Sequence, residues 1–297
     1  MVKNKTMIDF IQGEQFKTLA KYTYAPKIKI LKGDYDDLQN TVDWSSLKDG
    51  DIIYTHMMYT KQLFDILLYF NAKIILITHS CDCSIEDYGV RVPDGHGETK
   101  ELHYFTIPNN VIKWYSKNVN TVNPKIESLP IGLENAMWHK KVPKIDMMRA
   151  QLKQNRKFQN LVYLNHKVRN NAKERQILYD LFTNQPWVTV HQGGNGHMFD
   201  RYINQVYNHK FVFSPEGNGI DTIRTWECLH MGTIPIEKRN INNQYYTDLP
   251  ICFVNDWTEV TPEFLNAEYD RIKAGTWNME KLTFSYWRDK ILNTSLS

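Results

Sequence analysis

Arg224 and Glu227 stand three residues apart in the run KFVFSPEGNGIDTIRTWECLHMGTIPI, residues 210–236. On a helix that spacing puts both side chains on one face. Gly217 and Gly219, just before, interrupt a short apolar run and let a ligand come close to the backbone. A helix that starts after a glycine loop offers an anion its free N–H groups and the positive end of its dipole. Arg224, in the first turn, can fork onto a diphosphate. Glu227 can accept hydrogen bonds from two ribose hydroxyls. Ser214 and Asn218 can donate to phosphates. Asp221 or Thr222 can cap the helix, and Asp221 can alternatively touch a sugar hydroxyl. Together these residue types ask for a nucleoside diphosphate. The plainer alternative is a glycine turn before a helix, with Arg224 and Glu227 in a surface salt bridge.

Read as SPxGxGxDxxRxWExLxxGxxPI, the same run resembles the donor-site signature of the exostosin-like glycosyltransferases, family 47. The matching residues are Ser214, Pro215, Gly217, Gly219, Asp221, Arg224, Trp226, Glu227, Leu229, Gly232, Pro235 and Ile236. Three earlier segments are similar to other elements of the family. Residues 78–82 resemble T-H-N-S-D, departing at Ser80 and Cys81. Residues 114–118 resemble W-F-x-x-N, and residues 130–135 resemble P-I-G-x-E-N. The resemblance implies an α/β protein of the GT-B class, with two Rossmann-like domains facing a central cleft and a C-terminal helix crossing back to the first domain. It implies an inverting transfer by direct displacement from a UDP-sugar, such as UDP-xylose, to a hydroxyl of a glycan or glycoprotein. No metal or other cofactor is implied. Animal and plant members are typically Golgi-anchored. The N-terminal stretch here holds no apolar run long enough for a signal peptide or membrane span. The chain therefore looks more like the compact, soluble members encoded by bacteria and large viruses, and a cytoplasmic enzyme is expected.

Such a reaction needs a base for the acceptor hydroxyl and positive charge for the leaving diphosphate. Arg224 answers the second need. Asn165, Lys167, Arg169 and Arg175, which follow the first strand of the second half, are further phosphate candidates, with solvated charge as the alternative for both arginines. For the base, Asp82 leads, at the end of the apolar run KIILITH (73–79). Its bland role is to cap a turn. His79, whose imidazole titrates near neutral pH, and Glu134 are the alternatives. His191 and the glycine-rich loop at 193–196 can border the nucleobase, and Trp226 reads as core.

The elements that must position these residues follow from periodicity. Residues 7–20 read as a helix, 27–31 as a strand and 33–37 as an acidic turn. Within that turn Asp34-x-Asp36 reads as solvated rather than as a metal–diphosphate motif. Strands at 51–55 and 73–79 flank a helix at 60–70, a right-handed crossover unit. Residues 80–108 read as a long polar connection on the acceptor side of the cleft. A helix at 110–116 and a strand at 125–129 follow. The lysine-rich segment 138–156 reads as a linker. Strands at 161–165, 187–191, 210–214, 233–236 and 251–254 then alternate with helices at 172–182, 198–208, 221–230, 242–246 and 262–274. That alternation spells a parallel sheet with helices on both faces. The expected division is 1–150, 151–275 and a terminal helical segment 276–297.

Composition sets outer bounds. With 42% hydrophobic and 23% charged residues, the 297-residue chain is ordinary for a globular protein. A formal charge of +3 suits an anionic ligand and does not call for nucleic acid. Cys81, Cys83, Cys228 and Cys252 make no disulfide framework for a chain this long, which points to a reducing compartment. His79-x-Cys81-x-Cys83 lacks a second ligand pair at zinc spacing. No GxxxxGK[ST] is present, and the glycine spacing is not a dinucleotide fingerprint. A monomer suffices. The rival function is a non-catalytic nucleotide-sugar or glycan-binding module on the same fold.

Overall fold

Two runs of β-branched and aromatic strands build two parallel sheets, one in each half of the chain. The computed structural model describes residues 9–26, 38–96, 98–135, 144–191 and 199–296. In the first half come α1 (Gly13–Lys17), β1 (Tyr22–Tyr24), β2 (Ile52–His56), α2 (Thr60–Leu67), β3 (Ile74–His79), β4 (Ser84–Glu86), β5 (Gly89–Pro93), β6 (Thr99–Tyr104), β7 (Val111–Ser116) and β8 (Ile126–Ser128). The second half holds α3 (Lys144–Leu152), β9 (Asn160–Leu164), α4 (Ala172–Phe182), β10 (Val188–Val190), α5 (Phe199–Tyr207), β11 (His209–Phe213), α6 (Ile223–His230), β12 (Ile234–Lys238), β13 (Cys252–Val254), α7 (Pro262–Ala274) and α8 (Phe284–Leu292). The first parallel sheet runs β1-β2-β3-β7-β8 and the second β10-β9-β11-β12-β13. Every pairing in both sheets is parallel. The α/β class with two Rossmann-like units is therefore what the sequence led one to expect.

In the second sheet the chain starts at β9, steps out to β10, then returns across β9 to β11. Strand order reverses between β9 and β11. In doubly wound sheets ligands bind at such a reversal, outside the carboxyl ends of the two strands. Ser214 and the glycine loop leave β11 at that end, and Asn165 and His166 leave β9.

Several local expectations are corrected. The helix expected over 7–20 is confined, within the described residues, to the single turn and a half of α1. Phe10 and Gln12 instead form isolated bridges to Thr283 and to Gly132 and Leu133. The 27–31 strand, the 33–37 turn with Asp34 and Asp36, the loop at 193–196 and residues 138–143 of the linker lie outside the described residues. Residues 80–108, read as a long polar connection, carry regular structure. They fold into a three-stranded antiparallel sheet, β4-β5-β6. Gly89 is obligatory there, because a Cβ would run into the His103 carbonyl. Residues 110–116 form β7, not a helix. Val111, Trp114 and Tyr115 are buried, and β-branched and aromatic side chains suit a pleated central strand. The linker region carries α3, which lies against α5.

One hydrophobic cluster spans both halves. It contains Ile77 and Tyr115 from the first sheet, Trp226 and Leu229 of α6, and Trp287 and Ile291 of α8. Helix α8 rests on the first half. The Ser285 amide donates to Asp9 at 2.8 Å, and the Tyr115 and Thr294 hydroxyls share a 2.9 Å bond. Burial of the Ile291 side chain alone contributes about 1.5–3 kcal/mol. The two sheets are thus joined by packed apolar surface and by buried polar contacts, among them the Val119 amide and the Ser128 hydroxyl donating to Asn242 Oδ1 at 2.8 and 2.9 Å.

Candidate functional site

Two arginines converge at the strand-order reversal. Arg175, from α4, reaches beneath the glycine loop. Its Nε donates to the Glu216 carbonyl at 2.8 Å and its Nη1 to the Lys167 carbonyl at 3.0 Å. Arg224, in the first turn of α6, donates through Nη1 to the Phe213 carbonyl at 3.4 Å. Its Nε is buried and has no hydrogen-bond partner among the described residues. Burial, and then the Arg224 charge, push Arg175 down to about 10. Burial, then Arg224, likewise hold His166 neutral, down to about 3. Among the described residues no carboxylate lies within ion-pair distance of either guanidinium. A pair of desolvated like charges is costly unless an anion joins it.

Glu227 lies one turn beyond Arg224 and is buried, 6% exposed. Its Oε2 accepts a 2.7 Å hydrogen bond from the Tyr202 hydroxyl of α5. Oε1 accepts none among the described residues. Burial raises the carboxyl's pKa, against the Tyr202 bond and the charges of Lys144 and Arg224. The surface salt bridge weighed from the sequence does not form: Arg224 and Glu227 make no ion pair, and neither side chain is exposed. Arg224 instead faces the Tyr202 ring, 5.6 Å from its centre.

The glycine loop has a different job from the one its composition suggests. A Cβ on Gly217 would lie 2.8 Å from Arg175 Nη2, and one on Gly219 would lie 2.7 Å from Asn118 Nδ2. The glycines admit protein side chains. Ser214 does not point at a ligand either. Its hydroxyl bonds Thr222 at 2.8 Å and Thr225 at 2.9 Å, and Thr225 donates to Glu237. Neither Asp221 nor Thr222 caps α6 with its side chain. Asp221 is a latch between the two halves. Its carboxylate accepts from the Ile131 amide at 2.6 Å and from the Trp226 indole at 2.9 Å, while its own amide donates to Asn118 Oδ1 at 2.8 Å. Asn118 also donates to the Cys83 carbonyl at 3.0 Å and adopts φ +54°. Segments 78–83, 114–118, 130–135 and 214–227, far apart in sequence, thus meet around one partly buried carboxylate.

The first half supplies the opposite wall. Asp82 lies across from Asn218, whose amide donates to it at 3.4 Å. In the opposite amide orientation Asn218 donates to the carbonyls of Asn170 (2.8 Å) and Gly95 (2.9 Å). The Asp82 side chain is 52% exposed, so the desolvated carboxylate expected at this edge is instead solvated. His79 is sealed in, 1% exposed, between Phe16 and the Pro130 carbonyl, 3.1 Å from Nε2. Burial, and then the Lys117 charge, push it down to about 3. An imidazole with no route to substrate is a structural histidine. Glu134 is ion-paired with Lys144. Asn165 stays beside Tyr163 at the end of β9. Arg169 is exposed, and it is its backbone carbonyl that is engaged, by His96 at 3.1 Å. His191 lies against Tyr163, 5.6 Å between ring centres.

Sequence reasoning missed Lys117 and Tyr202. Lys117 follows β7 and is 3% exposed, with Asp82 Oδ1 at 4.0 Å as its nearest carboxylate. Its charge reaches His56, His79, Cys81 and Asp221. Lysine is almost never so buried without a close partner. All four cysteines are free, and among the described residues no group of three or more His, Cys, Asp or Glu side chains is placed to hold a metal ion. No helix among the described residues is long and apolar enough to cross a membrane.

No protein-family model matches the chain, and no curated protein does. Solved structures similar to it include the pneumococcal O-GlcNAc transferase GtfA in complex with UDP and GlcNAc, at 9% identity and a TM-score of 0.36, over 84% of this chain and 58% of that one. The GtfA/B complex aligns at 11% identity and a TM-score of 0.36, over 84% and 55%. An α1,3-fucosyltransferase aligns at 14% identity and a TM-score of 0.34, over 82% and 69%. The chain spans less than two thirds of the length of either of the first two structures.

Proposed function

We propose that this chain is a glycosyltransferase that moves a sugar from a nucleoside diphosphate sugar, a UDP-sugar such as UDP-xylose, to a glycan hydroxyl. The observation that carries the reading is the pair of partly buried arginines, Arg175 and Arg224, at the strand-order reversal, which among the described residues have no carboxylate at ion-pair distance. Two guanidiniums there suit a diphosphate, and Glu227 Oε1 suits a ribose hydroxyl one turn away. In the reaction Asp82 takes the proton of the acceptor hydroxyl. The acceptor oxygen attacks the anomeric carbon from the face opposite the diphosphate. The bond from that carbon to the diphosphate oxygen breaks, and the released negative charge goes to Arg224 and Arg175, without a metal. The sugar's configuration is inverted. Lys117 supplies positive charge beside Asp82. The spatial meeting of the four segments that resemble exostosin-like enzymes supports the same reading.

The test is transfer from radiolabelled UDP-sugars to a mixed glycan acceptor, with Asp82→Asn as control. The reading expects product with at least one UDP-sugar and a loss of about 10²–10⁴-fold in Asp82→Asn. Transfer from a GDP-sugar only would defeat the uridine assignment. One observation favours a second reading, a nucleotide-sugar-binding module without catalysis. Of the three base candidates, His79 is sealed, Glu134 is ion-paired and Asp82 is half exposed. That reading expects UDP binding with no transfer to any acceptor.

A further inference from the structure

A cavity of about 690 Å³ lies between the three-stranded sheet β4-β5-β6 and the Glu216–Ile220 side of the glycine loop. It shares no residue with the Arg175–Arg224–Glu227 cluster, and only the loop joins the two. Its volume falls within the roughly 300–1,000 Å³ range of ligand clefts. Its walls combine two features. Tyr88 and Tyr104 line it and remain 76% and 64% exposed. Two exposed rings on one cavity offer flat faces of the kind that stack on the apolar faces of sugar rings. The other feature is acidic. Glu86, Asp87 and Glu216 face the cavity, and Arg91, 3.6 Å from Glu86, is the cation among its lining residues.

We propose that this cavity holds the acceptor, a short oligosaccharide made of neutral sugars. The proposal rests on the glycosyltransferase reading above. Tyr88 and Tyr104 act as stacking platforms. The Asp87 and Glu216 carboxylates accept hydrogen bonds from sugar hydroxyls, and the excess negative charge turns away uronic, sialylated or sulfated chains. Arg91 and Asn218 lie between the cavity and the reaction centre. Arg91 Nη2 is 3.5 Å from the Asn218 carbonyl, and the Asn218 amide faces Asp82. An oligosaccharide bound on the tyrosines leads its end toward that carboxylate. The notable point is that selectivity for acceptor charge would lie in β4-β5-β6, outside the two parallel sheets.

The test uses the full chain and immobilised oligosaccharides of two kinds, neutral (cello-, xylo-, manno- and chito-oligosaccharides) and acidic (oligogalacturonate and heparin fragments). Thermal shift with UDP is measured in parallel on the same samples. The proposal expects capture by at least one neutral series and by no acidic series. Tyr88→Ala and Tyr104→Ala should each weaken that capture about tenfold and leave the UDP shift unchanged. Both side chains are exposed, so the variants fold. Preference for acidic chains, unchanged capture by both variants, or no capture of any oligosaccharide would each overturn the acceptor assignment. An intact UDP shift in those cases would leave the donor reading standing. Loss of the UDP shift in the unmodified chain would instead sink the reading beneath it.

Discussion

Asp221→Asn should remove a specific, signed pH dependence from the stability of this protein. Burial pushes the Asp221 carboxyl from 3.8 up to about 6, against the Ile131 and Trp226 hydrogen bonds that favour its charge. A carboxyl whose pKa is raised by folding holds its proton more tightly in the folded state. Its contribution is therefore greatest below pH 3.8, is lost as pH rises through about 6, and is level above that. The gap, at about 1.4 kcal/mol per pH unit, amounts to about 3 kcal/mol. Glu237, pushed up from 4.5 to about 7 by burial, adds a slope of the same sign over a slightly higher window. That second slope is present in both proteins and is smaller in Asp221→Asn, where the Asp221 charge no longer helps to raise Glu237, so the difference between them has the same sign throughout. The assay is urea unfolding from about pH 4 to about pH 8 for both proteins. The unmodified protein should lose up to about 3 kcal/mol relative to Asp221→Asn between about pH 4 and about pH 6, then run parallel to it. A difference that stays flat across that window, or rises with pH, would mean that the latch carboxylate is not buried as described.

Three other outcomes follow from the same geometry. Gly219→Ala should destabilise by about 1–3 kcal/mol in urea unfolding, because the Asn118 side chain it displaces is pinned at both ends. Gly217→Ala should cost less, since the atom it meets is the tip of the long Arg175 side chain. Lys117→Met, which keeps the apolar stem and removes the charge, should leave UDP binding unchanged by calorimetry and lower kcat, by less than Asp82→Asn does. Arg224→Ala should change the melting temperature of the ligand-free protein little, because the repulsion with Arg175 that it relieves is set against the Tyr202 and Glu227 interactions that it removes.

What could be read from sequence was what local pattern encodes. The strands of the second sheet are short apolar runs bounded by turn residues, and α4 and α7 came out with their observed ends. The β11–α6 unit was legible because an apolar run, a proline–glycine break and a following amphipathic stretch spell strand, turn and helix. β6, TKELHY, was not legible. It is almost wholly exposed, so neither face carries an apolar period. Residues 110–116 misled because the run VIKWYS suits either element by pattern, and position within the sheet decided it. The role of Asp221 was hidden for another reason. Its partners Ile131 and Asn118 are about a hundred residues away, and no local signal marks such a contact. Lys117 was passed over because a lysine is solvated by default. His79 failed as a base for the converse reason, since an apolar strand ending in histidine says nothing about whether water reaches the ring.

The most direct test of the central claim is calorimetric titration of UDP into the unmodified protein and into Arg224→Ala. If two guanidiniums wait for a diphosphate, the unmodified protein binds UDP. Removing one of them then costs about 1.5–3 kcal/mol, or roughly 10–150-fold in Kd. Equal affinity in both proteins would show that the diphosphate does not sit at the β9–β11 reversal. Absence of binding by the unmodified protein to UDP and to every other nucleoside diphosphate would contradict the account altogether.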